Sequence, residues 1–309
     1  MGEGAGTDID QDDRFEIDGL EFVPSWYRPS QPGSLTLLKG IHMVARYERL
    51  LAPFDRPRMV ELGISQGGSV ALLALLARPE RFVAVELSPD PVVPLLDALR
   101  DHHLADAVKP YFGVDQADRD RLTRIVADEF GDDPLDLVVD DASHRYDETV
   151  ASFEVLFPRL RPGGVYVIED WTGQDQVADH AVATLTDPGS PRHAEANEEL
   201  RRHLEAALAD PTSPLHHQAR AAIDQAVGQG SPPAGDAPVH GGRPPVSRIA
   251  LELALARAVP GDALTEVRLD ENWVEVTRGP AELDPATFRL ADLCPDHYGL
   301  LTAFPPPPA

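Results

Sequence analysis

Two short stretches of the sequence carry residues that could do metal and acid–base chemistry. Asp140, Asp141 and His144 follow one apolar run, and Glu169 and Asp170 follow the next one. If these runs are neighbouring strands of a parallel sheet, Asp141, Glu169 and Asp170 would meet at one edge, where three carboxylates repel each other unless a cation joins them. All-oxygen ligands suit Mg²⁺, with Mn²⁺ or Ca²⁺ as substitutes. His144 would flank such a site and could act as a general base.

Taken one at a time, the same residues have a simpler interpretation. An aspartate ahead of a helix is a good N-cap, which is the more common role for Asp140 or Asp170 alone. A single histidine such as His144 is most often a partly exposed side chain. The joint pattern, with acids at the ends of two neighbouring strands and a histidine beside one of them, favours a functional site.

A glycine-rich turn follows an earlier apolar run. Residues 61–69 read ELGISQGGS, in which an acid closes a strand and a tight turn leads into a helix. Such a turn presents backbone N–H groups to a ligand, although turns of this kind are common without one. Glu86 ends the next run, where it could accept hydrogen bonds from both hydroxyls of a ribose. Asp115 follows the third run, where it could meet an adenine amino group.

The same turn also matches a motif of another enzyme class. Gly63, Ser65 and Gly67 fit G-x-S-x-G, the nucleophile elbow of α/β-hydrolases. That fold needs several strands ahead of the elbow, whereas only residues 1–62 precede Gly63 here. The HGG segment at residues 240–242 lies downstream of the serine rather than ahead of it. The hydrolase interpretation is therefore disfavoured.

The elements that must position these residues alternate along the chain. Short apolar runs recur, each separated from the next by a segment able to form a helix: residues 58–62, 82–87, 108–112, 135–139 and 165–168. This alternation of apolar runs and helical segments predicts βα units with a parallel sheet. Ligands of such sheets bind at the carboxyl ends of the strands. Helical spacing extends from Ser34 to Leu51 and over residues 246–258. Residues 264–269 and 273–276 predict an antiparallel hairpin.

Two regions lack this alternation of apolar runs and helical segments. Residues 1–32 are acidic and rich in Gly and Pro, which predicts a partly disordered N-terminal segment. Residues 33–309 predict one domain, in which residues 172–247 form a helical and loop insertion that serves as a lid or an interface element. Helices are expected inside the insertion at residues 193–208 and 215–227.

Composition limits the classes of function. The net charge of -25 disfavours nucleic acid as a partner, and no apolar run approaches the length of a membrane span. The N-terminus lacks the basic-then-apolar pattern of a signal peptide. The single cysteine, Cys294, excludes an internal disulfide and a thiolate-rich metal site, and the only lysines are Lys39 and Lys109. We expect a cytoplasmic enzyme or binding protein.

Taken together, these residues resemble those of class I S-adenosylmethionine (SAM)-dependent methyltransferases. More narrowly, the chain resembles the metal-dependent macrolide sugar O-methyltransferases and the related cephalosporin hydroxylase-type family. The resemblance is carried by residues 61–63 with 67–69, Glu86, 140–144, 161–164 and 168–170. It covers residues 36–171 well and residues 246–278 more weakly. It implies an α/β, Rossmann-like class I methyltransferase fold, with a mostly parallel sheet, a C-terminal antiparallel hairpin and a helical insertion.

The resemblance also implies roles for individual residues. The residues expected to contact SAM combine the glycine turn with acids at strand ends: Glu61, Gly63, Gly67, Ser69, Glu86, Asp115 and Asp140. Asp141, Glu169 and Asp170 match the family's Mg²⁺ ligands, and His144 matches its general base.

The implied reaction is Mg²⁺-assisted methylation of a hydroxyl on a small molecule, such as a sugar or a natural-product diol. Two alternatives stay open. One is a hydroxylase-type natural-product enzyme, although the chain has no clear His-x-Asp…His set that would hold Fe(II). The other is a SAM-binding partner subunit without catalysis. The sequence does not determine the acceptor, and it is compatible with a homo-oligomer.

Overall fold

The computed structural model of the chain describes residues 14–25, 28–172, 244–259, 261–270 and 272–293. These residues divide into two compact units. The first reaches to Ala142 and also takes in Arg159–Gly164, and the second comprises Ser143–Pro158 and the described residues from Val165 onward. The helices predicted at residues 193–208 and 215–227 lie outside the described residues, as do residues 1–13 of the N-terminal segment for which partial disorder is predicted.

The first unit begins with a small sheet of three strands. Strand β1 (Phe15–Ile17) pairs antiparallel with β2 (Leu20–Pro24), and β2 pairs parallel with β3 (Ser34–Leu37). The helical spacing predicted from Ser34 is therefore wrong for residues 34–37, and helix α1 spans only Ile41–Leu51. The physical reason is that Leu35 and Leu37, two residues apart, are both fully buried while their backbone bonds to β2.

Four parallel strands follow in the same unit, and they confirm the predicted alternation of strands and helices. They are β4 (Arg58–Leu62), β5 (Arg81–Glu86), β6 (Val108–Phe112) and β7 (Leu135–Asp140). The helices between them are α2 (Gly68–Ala77), α3 (Val93–Asp101) and α4 (Arg119–Phe130). Consecutive residues at the centres of β4, β5 and β7 are buried, which is why these strands read as continuous apolar runs.

The second unit contains the predicted C-terminal hairpin. Helix α5 (Tyr146–Leu156) and strand β8 (Leu160–Glu169) come first, and helix α6 (Ser247–Ala258), strands β9 (Leu264–Asp270) and β10 (Trp273–Arg278), and the short helix α7 (Leu290–Leu293) follow. Strand β10 pairs antiparallel with both β8 and β9, so the hairpin is confirmed. Phe153, Phe157 and Tyr166 form part of its core, with the two phenylalanine rings stacked at 4.6 Å.

Seven strands belong to one sheet, in the order β6-β5-β4-β7-β8-β10-β9. Strand β4 pairs with β5 on one side and with β7 on the other. The chain first adds strands on the β5 side of β4 and then crosses to the opposite side of β4 to form β7, so the switch point of the sheet lies between β4 and β7. In open α/β sheets, ligands bind beyond the carboxyl ends of the strands at such a switch point. None of the described helices is long and apolar enough to span a membrane.

Candidate active site

The glycine turn after β4 lies at this switch point and contacts the chain that leaves β7. Gly63 has a φ of +95°, and a Cβ placed on it would lie 2.2 Å from the carbonyl oxygen of Asp141. Only glycine combines that backbone conformation with so close an approach. The backbone N–H of Asp141 in turn donates to the carbonyl of Leu62 at 2.9 Å. The turn and the aspartate loop are thus fixed against each other within the first unit.

A second glycine of the turn serves packing rather than a ligand. A Cβ on Gly68 would lie 2.2 Å from the carbonyl oxygen of Thr36. Glycine, which has no Cβ, therefore leaves room for the backbone of β3 to pack against this position. Gly67 and Ser69, two of the predicted cofactor contacts, are buried, whereas Gly63 and Ser65 are partly exposed. Glu61, another predicted contact, is fully buried inside β4. Contact between SAM and these residues stays a prediction.

Glu86 holds the turn through its carboxylate. Its Oε2 accepts hydrogen bonds from the backbone N–H of Ile64 at 3.0 Å and of Ser65 at 2.8 Å. Its Oε1 accepts from the N–H of Ser88 at 2.9 Å. An ionised carboxylate offers about four acceptor positions. Glu86 can therefore organise the turn and still have capacity for a ribose hydroxyl.

The predicted adenine contact, Asp115, has a neighbour that sequence reasoning missed. Asp115 is exposed, and its Oδ1 accepts from the backbone N–H of Ala117 at 2.8 Å. Gln116 is buried, and its amide nitrogen lies 3.2 and 3.3 Å from the two carboxylate oxygens of Asp140. Asp140, itself only 2% exposed, is thereby held at the end of β7 by an amide donor.

Asp141 forms a close ion pair that the sequence did not predict. The Nζ of Lys39 lies 2.5 Å from Oδ2 of Asp141, and the two side chains are 6% and 21% exposed. The same ammonium lies 5.6 Å from the ring centre of Tyr47. Lys39 is one of two lysines in a chain that otherwise uses arginine, and that rarity is the one signal that could have singled it out.

In the second unit, the structure brings His144 and Asp170 together. Each offers a ligand atom, and these atoms lie within 4.8 Å of each other. Glu169, the last residue of β8, is 3% exposed. His144 and Asp170 both adopt left-handed backbone conformations, with φ of 51° and 49°. Five other described residues that are not glycine share this conformation, so a left-handed φ alone does not mark a functional site: Asp18, Arg56, Ser65, Arg78 and His103.

The β9–β10 turn holds Asp170 in place. The backbone N–H of Asp170 donates to the carbonyl of Asn272 at 2.7 Å. The hydroxyl of Thr172 donates to Oδ1 of the same asparagine at 2.6 Å. Trp273, the next residue, is buried and pairs with Glu169 across the sheet. The hairpin therefore supports both predicted metal ligands at the end of β8.

The strand order, the glycine turn at its switch point, the acid that ends β5 and the antiparallel terminal hairpin together define a class I methyltransferase fold. Comparison with known proteins agrees, since residues 60–171 match the family model of a methyltransferase domain. The match lies within the segment for which the resemblance was stated.

Curated relatives carry related names. Over 141 residues the chain is 36% identical to 8-demethyl-8-alpha-L-rhamnosyl tetracenomycin-C 2'-O-methyltransferase of Streptomyces olivaceus, a match that covers 42% of this chain and 34% of the relative. Over 100 residues it is 39% identical to demethylmacrocin O-methyltransferase of Streptomyces fradiae, covering 28% of this chain and 25% of the relative. The chain thus spans about a third or less of the length of these relatives.

The solved structures that match this chain include the following two methyltransferases. The MycE methyltransferase of the mycinamycin biosynthetic pathway, in complex with Mg, SAH and mycinamycin VI, has a TM-score of 0.44 and 18% identity, covering 76% of this chain and 49% of that one. The O-methyltransferase TomG of Streptomyces achromogenes, in complex with SAM, also has a TM-score of 0.44 and 18% identity, covering 77% of this chain and 80% of that one.

Proposed function

We propose that this protein is a SAM-dependent O-methyltransferase that methylates a hydroxyl on a sugar or related diol of a natural product, with a divalent metal at the acceptor. The observation that carries the proposal is the glycine turn at the switch point, held by Glu86 within the segment that matches a methyltransferase domain. The curated relatives support the acceptor class, because their names specify transfer to oxygen and one of them names a rhamnosyl substituent.

The residues around the turn fit SAM. The left-handed turn at Gly63 lies at the switch point, and Glu86 ends the next strand with its carboxylate directed at that turn. Gly63, Gly67, Ser69 and Glu86 would hold the cofactor, with Asp115 near the adenine. Glu61 and Asp140 would support them from within the sheet, since both are buried at strand ends.

The residues of the second unit fit a divalent cation. His144 and Asp170 offer ligand atoms within 4.8 Å of each other, and the neighbouring carboxylate of Glu169 is buried. Asp141 precedes His144 by three residues in the chain. We propose that Asp141, Glu169 and Asp170 hold Mg²⁺, with Mn²⁺ as a substitute, because their donor atoms are all oxygens.

The chain's own residues then have defined tasks. SAM supplies a methyl group already activated on its sulfonium, and a bound divalent cation lowers the pKa of a hydroxyl that it coordinates. His144, beside Asp170, would accept the proton from the acceptor hydroxyl through a ring nitrogen. The turn and Glu86 would orient the cofactor, and holding the two reactants in line removes much of the entropic cost of reaction.

An acceptor screen tests this proposal. Purified protein would be incubated with SAM, Mg²⁺ and a panel of glycosides that carry neighbouring hydroxyls, and products would be analysed by mass spectrometry. We expect a gain of one CH2 unit on at least one acceptor, loss of turnover with EDTA and recovery when Mg²⁺ is added back. Product formed at the full rate by protein verified to be metal-free would refute the metal's role. Turnover that survives Asp170→Asn unchanged would refute the ligand assignment.

A further inference from the structure

A polar cluster of three side chains in the second unit lies outside the residues given a role above. The hydroxyl of Tyr146 lies 2.8 and 2.7 Å from the two carboxylate oxygens of Glu252. Arg248 lies one helical turn before Glu252 on α6, and its Nε donates to Oε1 of that glutamate at 2.9 Å. Its guanidinium also lies 5.1 Å from the ring centre of Tyr146. Phenol, carboxylate and guanidinium thus close a ring of contacts between α5 and α6.

The carboxylate at the centre of the cluster is buried. Glu252 is 5% exposed, so its charge depends on the two donors that face it. Burial, together with the hydrogen bond to Glu252, raises the pKa of Tyr146 well above its ordinary value. The phenol therefore keeps its proton and remains a donor across the physiological range. Truncating either partner would leave a buried polar group without its hydrogen bond, which is costly.

Tyr146 is the first residue of α5 and lies two residues after His144. Arg145, which stands at the N-cap, makes no side-chain cap to the helix. The backbone N–H of Arg145 donates a hydrogen bond to the hydroxyl oxygen of Ser143 at 3.2 Å. His144 lies inside this short segment in a left-handed conformation, with φ of 51°. Strained conformations persist only where the surrounding structure imposes them.

We infer that Tyr146, Glu252 and Arg248 form a positioning cluster that anchors the start of α5 and so holds His144 in place for the transfer reaction. This inference rests on the proposed function, in which His144 accepts a proton from the acceptor. Tyr146 itself touches no reacting atom in this scheme. It acts through the backbone of residues 143–146.

Tyr146→Phe is the sharpest test, because it removes one hydroxyl and keeps the ring. We expect kcat to fall by about ten- to a hundredfold, as a misplacement of about 1 Å can cost that much, while KM for SAM stays within about twofold. Glu252→Gln keeps an oxygen that can accept from the phenol, so it should lose less turnover than Glu252→Ala.

Tyr111→Phe is the matched control. Tyr111 on β6 donates to Glu129 on α4 at 2.6 Å, the same type of tyrosine–glutamate bond in the first unit. It should leave kcat unchanged. A folded Tyr146→Phe protein with wild-type kcat, or an equal loss of kcat in both phenylalanine variants, would overturn the inference.

Hydrogen exchange separates this inference from the proposed function, because it needs no substrate. The amide of Thr149 donates to the carbonyl of Arg145 in the first turn of α5, and its exchange should be faster in Tyr146→Phe than in wild type or Tyr111→Phe. If the wild-type protein methylates no acceptor, the proposed function fails, and unchanged exchange of Thr149 in Tyr146→Phe would independently overturn the anchoring role.

Discussion

His144 and Asp170 share an unusual backbone conformation at the scale of single residues. Their φ values of 51° and 49° lie in the left-handed region, which costs a non-glycine residue about 1–3 kcal/mol. Each has nearby support that can impose this conformation. The carbonyl of Asn272 accepts the N–H of Asp170, and Tyr146 anchors the helix that begins two residues after His144. The strain is therefore fixed by bonds to other elements of the same unit.

The role of His144 can be tested by removing its ring. His144→Ala should lower kcat by about two to four orders of magnitude, the usual contribution of general base catalysis. The melting temperature and SAM affinity should change little, because the proposed role involves neither the core nor the cofactor. His103→Ala is a matched control, since His103 is an exposed histidine that is also left-handed, with φ of 56°. Near-normal turnover in a folded His144→Ala protein would remove the base from the mechanism.

Some site residues were accessible to sequence reasoning and others were not. Asp141, Glu169, Asp170 and His144 were singled out because acids and a histidine at strand ends form a local pattern. Lys39 was missed because it lies 102 positions from Asp141 in the chain, although their charged atoms are 2.5 Å apart. Gln116 was missed because neutral amides carry no chemical signature until their partner, here Asp140, is known.

At the scale of elements, the contact between Gly68 and β3 makes a direct stability prediction. A Cβ at residue 68 would meet the carbonyl of Thr36 at 2.2 Å, so Gly68→Ala should lower the free energy of unfolding by about 1–3 kcal/mol, the usual cost of overpacking. Gly261→Ala is the control, because no heavy atom lies within 4 Å of a Cβ placed there. Urea denaturation would compare the two, and equal stability of both variants would mean that β3 does not pack here as described.

Strand β6 carries a pH-dependent contribution to stability. Burial, with the hydrogen bond to Glu129, raises the pKa of Tyr111 to about 12 from its ordinary 10.0. The contribution of a group whose pKa is raised by folding is fully present below its unfolded pKa and is lost as the pH rises towards the folded value. We therefore expect the urea midpoint of wild type to fall more steeply than that of Tyr111→Phe between about pH 10 and pH 12. Parallel curves for the two proteins would contradict this contribution.

The sequence predicted the buried strands better than the N-terminal sheet. Strands β4 and β6 begin and end at the predicted residues. In β4 four of the five residues are buried, as expected for a strand covered on both faces, whereas in β6 only Val108 is buried. Strand β3 was assigned to a helix because Leu37 and Leu38 continue the helical spacing of the following residues. These residues form a strand because they pair with β2, and the local spacing of apolar residues does not encode that contact.

At the scale of the whole molecule, the strand order explains why segments that are distant in sequence lie side by side in the first unit. The switch point lies between β4 and β7, so the glycine turn after β4 and the loop after β7 lie next to each other at the carboxyl ends of the two strands. Alternating apolar runs predict a parallel sheet but do not fix which strands are neighbours. The resemblance implied a mostly parallel sheet with a terminal hairpin but no strand order, and the position of the switch point follows from the structure.

Titration of the purified chain with SAM by calorimetry tests the central claim most directly. We predict saturable binding at one site, weakened by a few kcal/mol in Glu86→Ala, which removes acceptors for the ribose and for the N–H groups of Ile64 and Ser65. His144→Ala should bind SAM as wild type does. The melting temperature should rise with SAM concentration, since a ligand that binds only the folded state stabilises it. A folded wild-type protein that gives neither binding heat nor a shift in melting temperature with SAM would contradict the proposed function.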